Sequence, residues 1–155
     1  MRDTVALVVL HFCGMGTSTD IAAVQRFFET QESRLVLSAY VFGSTARGTQ
    51  HEDSDVDIAV LLDRVLLPTR RARTDERVRL TSGIIAALHR NDVDLVVLND
   101  VPPGIGRHAI TQGVRVFCRS EEADHNYVRD IQLRAADLDP FLRRMRKIKL
   151  QALSA

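Results

Sequence analysis

Val41-Phe42-Gly43-Ser44-Thr45-Ala46-Arg47-Gly48, followed by Ser54-Asp55-Val56-Asp57-Ile58, is the stretch whose reading decides the fold. An apolar run, Leu35 to Phe42, leads into it and a second, Ile58 to Leu62, leads out. The order is strand, glycine-serine turn, polar loop, then Asp-x-Asp at the start of another strand. Gly43 has no Cβ, so its φ is unrestricted and the backbone can approach a bulky ligand there. Ser44 offers a hydroxyl and a backbone N–H at the mouth of a short helix, where phosphate-like anions are favoured. Arg47 adds a positive charge one turn on.

Asp55 and Asp57 are two residues apart, which in a strand puts both side chains on one face. Val56, Ile58, Val60 and Leu62 then form the opposite, buried face. Ionising two adjacent carboxylates is costly unless a cation sits between them. Hard oxygen donors suit Mg²⁺, which binds through one or two carboxylates together with substrate phosphates. A lone Gly-Ser is ordinarily just a turn, and a lone Asp-x-Asp a solvated strand end. Their conjunction between two strands reads instead as a nucleoside-triphosphate and metal site.

The 155 residues, 45% apolar and 26% charged, suit one globular domain over residues 17–155, with 1–16 an extension or an extra strand. A net charge of +1 argues against nucleic acid as the main partner. Cys13 and Cys118 have no metal-ligand or disulfide-framework spacing, which fits a reducing cytoplasm. No apolar run is long enough to span a membrane. The apolar run 4–13 reads as a strand or a start-site extension rather than a signal peptide, because Asp3 and a weak basic region precede it.

Thr17, Ser18, Thr19 and Asp20 are candidate N-caps for a helix over about residues 20–33, with Ile21, Val24 and Phe28 on its apolar face. Leu35–Phe42 is apolar on both faces, as in a central strand covered by helices. In the loop that follows, His51 reads as a surface residue. Arg70, Arg71, Arg73, Arg77 and Arg79 form either a solvated helix face or an anion-binding patch. Leu80, Ile84, Ala87 and Leu88 continue a helix.

Val93–Leu98 is a third strand, and Asp94 within it is expensive to bury unpaired. Asp94 is explained if it faces Asp55 and Asp57. Asp92 is its competitor, but Asn91-Asp92 has turn chemistry. A short helix near 105–112 and a strand Val114–Cys118 follow. From Glu121 the chain is helical, with Tyr127, Ile131, Leu138, Leu142 and Met145 as a broken stripe. Asp139 and Pro140 read as the N-cap and first position of a second helix. That helix is basic, with Arg143, Arg144, Arg146, Lys147 and Lys149, either a solvated end or a docking face for an acidic partner.

The reading is therefore α/β: a small mixed sheet of about four or five strands flanked by helices, with helices at the C-terminus. The run Phe42–Gly48 through Ser54–Ile58 resembles the signature of the polymerase-β-like nucleotidyltransferase superfamily, most closely its minimal nucleotidyltransferases (MNT). Val93-Asp94-Leu95-Val96 is similar to the strand that brings the third carboxylate in that family. MNT proteins occur as antitoxins beside HEPN-type ribonuclease toxins. The resemblance implies transfer of AMP from ATP to a tyrosine hydroxyl of a HEPN toxin. It implies that Gly43, Ser44 and Arg47 hold the nucleotide, and that Asp55, Asp57 and Asp94 are catalytic and bind two Mg²⁺ ions. A small-molecule nucleotidyltransferase of the aminoglycoside type and a non-catalytic binding antitoxin are the alternatives.

Overall fold

The computed structural model describes residues 19–31, 33–48 and 54–153. The expectations for residues 1–16, for caps at Thr17 and Ser18, and for His51 lie outside those residues. Helix α1 (Thr19–Thr30) carries Ile21, Val24 and Phe28 on its buried face, as their spacing requires. It ends three residues before the expected 33, and the Thr30 hydroxyl donates back to the Arg26 and Phe27 carbonyls in its last turn.

The sheet comprises β1 (Val36–Phe42), β2 (Val56–Leu62), β3 (Val93–Val97) and β4 (Val114–Cys118), in the order β3-β2-β1-β4. Strand β1 runs antiparallel to both β2 and β4, whereas β2 and β3 are parallel, so the sheet is mixed. Parallel neighbours need a crossover, and α3 (Arg70–Leu88) supplies it. Between β1 and β2 stands the short α2 (Gly43–Arg47). Helix α4 (Pro103–Gln112) precedes β4, and α5 (Glu121–Leu153) follows it.

Alternation along the strands divides the core in two. On one face Val56, Ile58, Val60, Leu95 and Val97 pack with Val24 and Phe28 of α1 and Leu80 and Ile84 of α3. On the other, Tyr40, Ala59 and Leu61 pack with Ala109 of α4 and Tyr127 of α5. This second face is the one on which Asp57 and Asp94 stand at the strand starts. Asn99 closes the far end of β2: its side-chain oxygen accepts from the Leu62 N–H at 2.8 Å and its amide donates to the Leu62 carbonyl at 2.9 Å.

Two expectations are corrected. The chain beyond Ser120 is one helix, not two, and it runs through Pro140. Proline there forfeits one bond, to the carbonyl four residues back, on a stretch exposed enough for water to replace it. Asp139 is not an N-cap; its carboxylate takes Arg107 at 2.9 Å. The arginines of α3 do not form one anion-binding patch either. Arg73 is buried and spends its guanidinium on Asp100 and the Leu67 and Pro68 carbonyls, and Arg79 is bonded to Glu76. Both are committed to holding the fold.

Candidate functional site

Strand register brings the carboxylates together. Phe42 is paired with Asp57 across β1–β2, and Asp57 with Asp94 across β2–β3. Phe42, Asp57 and Asp94 therefore form a row across one face of the sheet. Asp55, exposed, immediately precedes β2. The sequence separates Asp57 from Asp94 by the whole of α3; the parallel register removes that separation.

Above the row sits the glycine-serine turn. Gly43 has φ +71°, a left-handed conformation that favours glycine, and a Cβ built on it would lie 2.0 Å from Oδ2 of Asp57. A side chain at this position would have to displace the Asp57 carboxylate and adopt a strained backbone. Ser44 is half-buried at the first turn of α2, and Arg47 is exposed at its end. Gly48 closes α2 in the left-handed region, with φ 67°. Buried Thr45 reaches the Asp55 carbonyl at 3.5 Å, linking α2 to the start of β2.

The Asp57 carboxyl is held above its ordinary 3.8, first by burial and then by the negative charges of Asp94 and Asp55; Arg47 and His108 oppose this. His108, on α4, stands edge-on to Phe42 with ring centroids 6.2 Å apart. It is a residue that sequence reasoning missed. No spacing could have found it, because α4 comes to this end of the sheet only through tertiary packing.

Asp92, the competitor of Asp94, points elsewhere. Arg90 donates to both of its oxygens, to Asp20 at 2.8 Å and to the Ser54 carbonyl at 2.7 Å. The guanidinium hydrogen bonds pull the Asp92 carboxyl down to about 2. Arg90 therefore ties α1 and the start of β2 to the turn before β3. Asp94 is the exposed member of the two.

Asp94 also borders a hollow of about 220 Å³ lined by Arg77, Val78, Thr81, Ser82, Val93 and Leu95. A larger hollow, about 350 Å³, lies at the opposite end of the sheet against Leu37, Leu62, Asn99 and Tyr127, away from the carboxylates. The smaller one lies on the α3 side of β3, and of the site residues only Asp94 borders it.

The donor set suits a hard divalent cation: three carboxylates, one of them desolvated and all of one sign, on a face with a side-chain-free turn above it. A different trio, Cys118, Glu121 and Asp124, brings its ligand atoms within 4.8 Å of one another. There Arg115 already donates to Glu121 and Asp124, and burial pushes the Cys118 thiol up to about 11. Those groups are taken by an ion-pair network and a protonated thiol.

A model of the family described as polymerase beta, nucleotidyltransferase, matches residues 23–122, which include the turn and all three carboxylates. The chain belongs to this nucleotidyltransferase family. Protein adenylyltransferase MntA of Shewanella oneidensis is 33% identical to it over 94 residues, 61% of this chain and 63% of MntA. The match thus spans less than two thirds of that relative's length.

The nucleotidyltransferase is also similar to a chain of a toxin–antitoxin crystal structure containing AMP-PNP, with 26% identity and a TM-score of 0.60 over 87% of this chain and 98% of that one. A further chain comes from a complex of tri-AMPylated Shewanella oneidensis HEPN toxin with MNT antitoxin. It shares the fold, with 21% identity and a TM-score of 0.56 over 88% and 99% of the two chains.

Proposed function

We propose that this nucleotidyltransferase is an antitoxin that transfers AMP from ATP to a tyrosine hydroxyl of a HEPN ribonuclease toxin. The observation that carries the chemistry is the row of Asp57 and Asp94 beneath Gly43, with Asp55 beside it. The observation that carries the biology is the relative that is a protein adenylyltransferase, supported by the similar chain from a toxin–antitoxin structure determined with AMP-PNP.

Backbone and hydroxyl of Ser44, reached across side-chain-free Gly43, hold the terminal phosphates, and Arg47 adds charge at the rim. Asp55, Asp57 and Asp94 would hold two Mg²⁺ ions, which when bound offset the carboxylate charge, stabilise the charge on the departing pyrophosphate and acidify the acceptor hydroxyl. The acceptor oxygen forms a bond to the α-phosphorus while the bond from that phosphorus to the bridging oxygen of pyrophosphate breaks. Asp94, exposed and in register with Asp57, accepts the hydroxyl proton as general base. Holding the tyrosine in line with that bond supplies much of the rate. The carboxylate row is open, with Asp55 and Asp94 exposed. A protein that brings its own binding surface suits the site better.

The test is intact mass spectrometry of a HEPN-domain ribonuclease, taken from the neighbouring reading frame if one is found there, after incubation with this chain, ATP and Mg²⁺. One or more AMP additions on tyrosine, absent in EDTA, are expected. A partner of unchanged mass whose ribonuclease is nevertheless silenced by stoichiometric complex formation would make the chain a binding antitoxin.

A further inference from the structure

The apolar face of α5 does not end where the rest of the protein ends. Ile131 and Ala135 are buried, and Asp139 makes an ion pair with Arg107 of α4. Beyond them the same face continues at helical spacing through Leu138, Leu142 and Met145, flanked by Phe141 and Ile148. These five side chains are 39–59% exposed. Arg143, Arg144, Arg146, Lys147 and Lys149 surround the stripe, and no acidic residue lies between Pro140 and Gln151.

Large exposed apolar side chains set in contiguous register mark an interaction surface rather than scattered surface residues. We infer that the segment Leu138–Gln151 of α5 is a docking arm for the acceptor protein, which meets it with an apolar groove rimmed by carboxylates. This inference rests on the proposed function for the identity of that partner, and on charge and geometry for its chemistry. A second copy of this chain fits the arm poorly, because a symmetric pairing brings the same patch of five cations against itself. The arm springs from the α4–α5 side of the sheet, the side on which Asp57 and Asp94 stand. A partner held there is on the same side of the molecule as the reacting groups. Its affinity has a large apolar part and a part that salt weakens.

The experiment compares the full chain with Leu142→Asp/Met145→Asp, both exposed positions, by calorimetry against the same HEPN-domain ribonuclease used to test the proposed function, at low and high salt. Circular dichroism and AMP-PNP affinity serve as controls. The wild-type chain is expected to bind, more weakly at high salt, and the double variant to bind at least about 100-fold more weakly with AMP-PNP affinity unchanged. Equal partner affinity in the variant overturns the inference. So does failure of the wild-type chain to bind that protein. A dimer of the isolated chain in sedimentation that the variant abolishes, or flotation of the chain with phosphatidylserine vesicles, overturns it in favour of a second copy or a membrane surface. The two readings fail separately: a partner bound through the arm yet never adenylylated removes the enzymatic proposal alone. Undiminished binding and transfer by the double variant removes the arm alone.

Discussion

Gly43 and Asp57 occupy mutually dependent space: the carboxylate oxygen Oδ2 lies 2.0 Å from where a Cβ of residue 43 would be. Gly43→Ala must therefore either push Asp57 out of the row it forms with Asp94 or distort the turn that carries Ser44. The left-handed φ adds about 1–2 kcal/mol for any residue with a Cβ. The expected outcome is a small loss of thermal stability with at least ~100-fold slower AMP transfer, because misplacement by an ångström at a reacting centre has that cost. A variant that transfers AMP at the wild-type rate would show that the close approach is unimportant.

Asp94 and Asp92 should separate cleanly. Asp94 is exposed and its charge repels Asp57, so Asp94→Ala should not lower the unfolding midpoint and should slow transfer by about 100-fold or more. Asp92→Ala strips Arg90 of its main partner and should lower stability, while transfer should fall far less than in Asp94→Ala, by no more than about tenfold, since Arg90 keeps Asp20 and the Ser54 carbonyl. The depressed Asp92 carboxyl stabilises the fold above the ordinary carboxylate range, and that contribution fades as pH falls toward about 2. Transfer assays and unfolding curves on both variants read the two effects independently.

Asp57 carries the opposite sign. Its folded-state pKa is raised by burial and by Asp94 and Asp55. Its stability contribution is therefore fully present below the ordinary carboxylate value and is lost as pH rises through the raised one. In EDTA at pH 7, Asp57→Asn should melt above the wild-type protein, and the gap should close as the pH is taken below 3.8. Mg²⁺ should raise the wild-type midpoint more than that of the variant, and transfer by the variant should be lost. Differential scanning calorimetry across that range decides it; a variant less stable than wild type at pH 7 in EDTA refutes the sign.

Tyr40 anchors α5 to the sheet. Its hydroxyl donates to fully buried Asp124 at 2.8 Å, and Arg115 reaches the same carboxylate at 2.8 Å. Tyr40→Phe leaves one buried oxygen less well satisfied and should cost about 1–3 kcal/mol in urea unfolding. AMP transfer should be unchanged, since the pair lies on the β1–β4 side of the sheet. A loss of transfer without a loss of stability would place Tyr40 in the chemistry instead.

Among the elements, those with strong local signals were legible from the residues alone. The alternation of Val56, Ile58 and Val60 against Asp55 and Asp57 determined that β2 is a strand and which face carries the carboxylates. The strand-turn-helix pattern of Phe42–Gly48 pointed to α2, because glycine accepts the left-handed turn and a following serine suits the start of a helix. Pro140 misled, because its local rule forbids a helix interior but costs only one bond where water can replace it. Turn chemistry at Asn91-Asp92 favoured Asp94 over Asp92 from the residues alone; that Asp94 is in register with Asp57, and that Arg90 bonds Asp92, came only from the tertiary structure. His108 was invisible, since nothing near it in sequence speaks of Asp57. Periodicity and turn chemistry are properties of neighbours along the chain, and so the sequence by itself determined the strands, the turn and the residue types of the site. Which carboxylates share a row, which arginine is spent on structure and which face of α5 is left uncovered depend on contacts between residues far apart in the chain, and only the tertiary structure decided them.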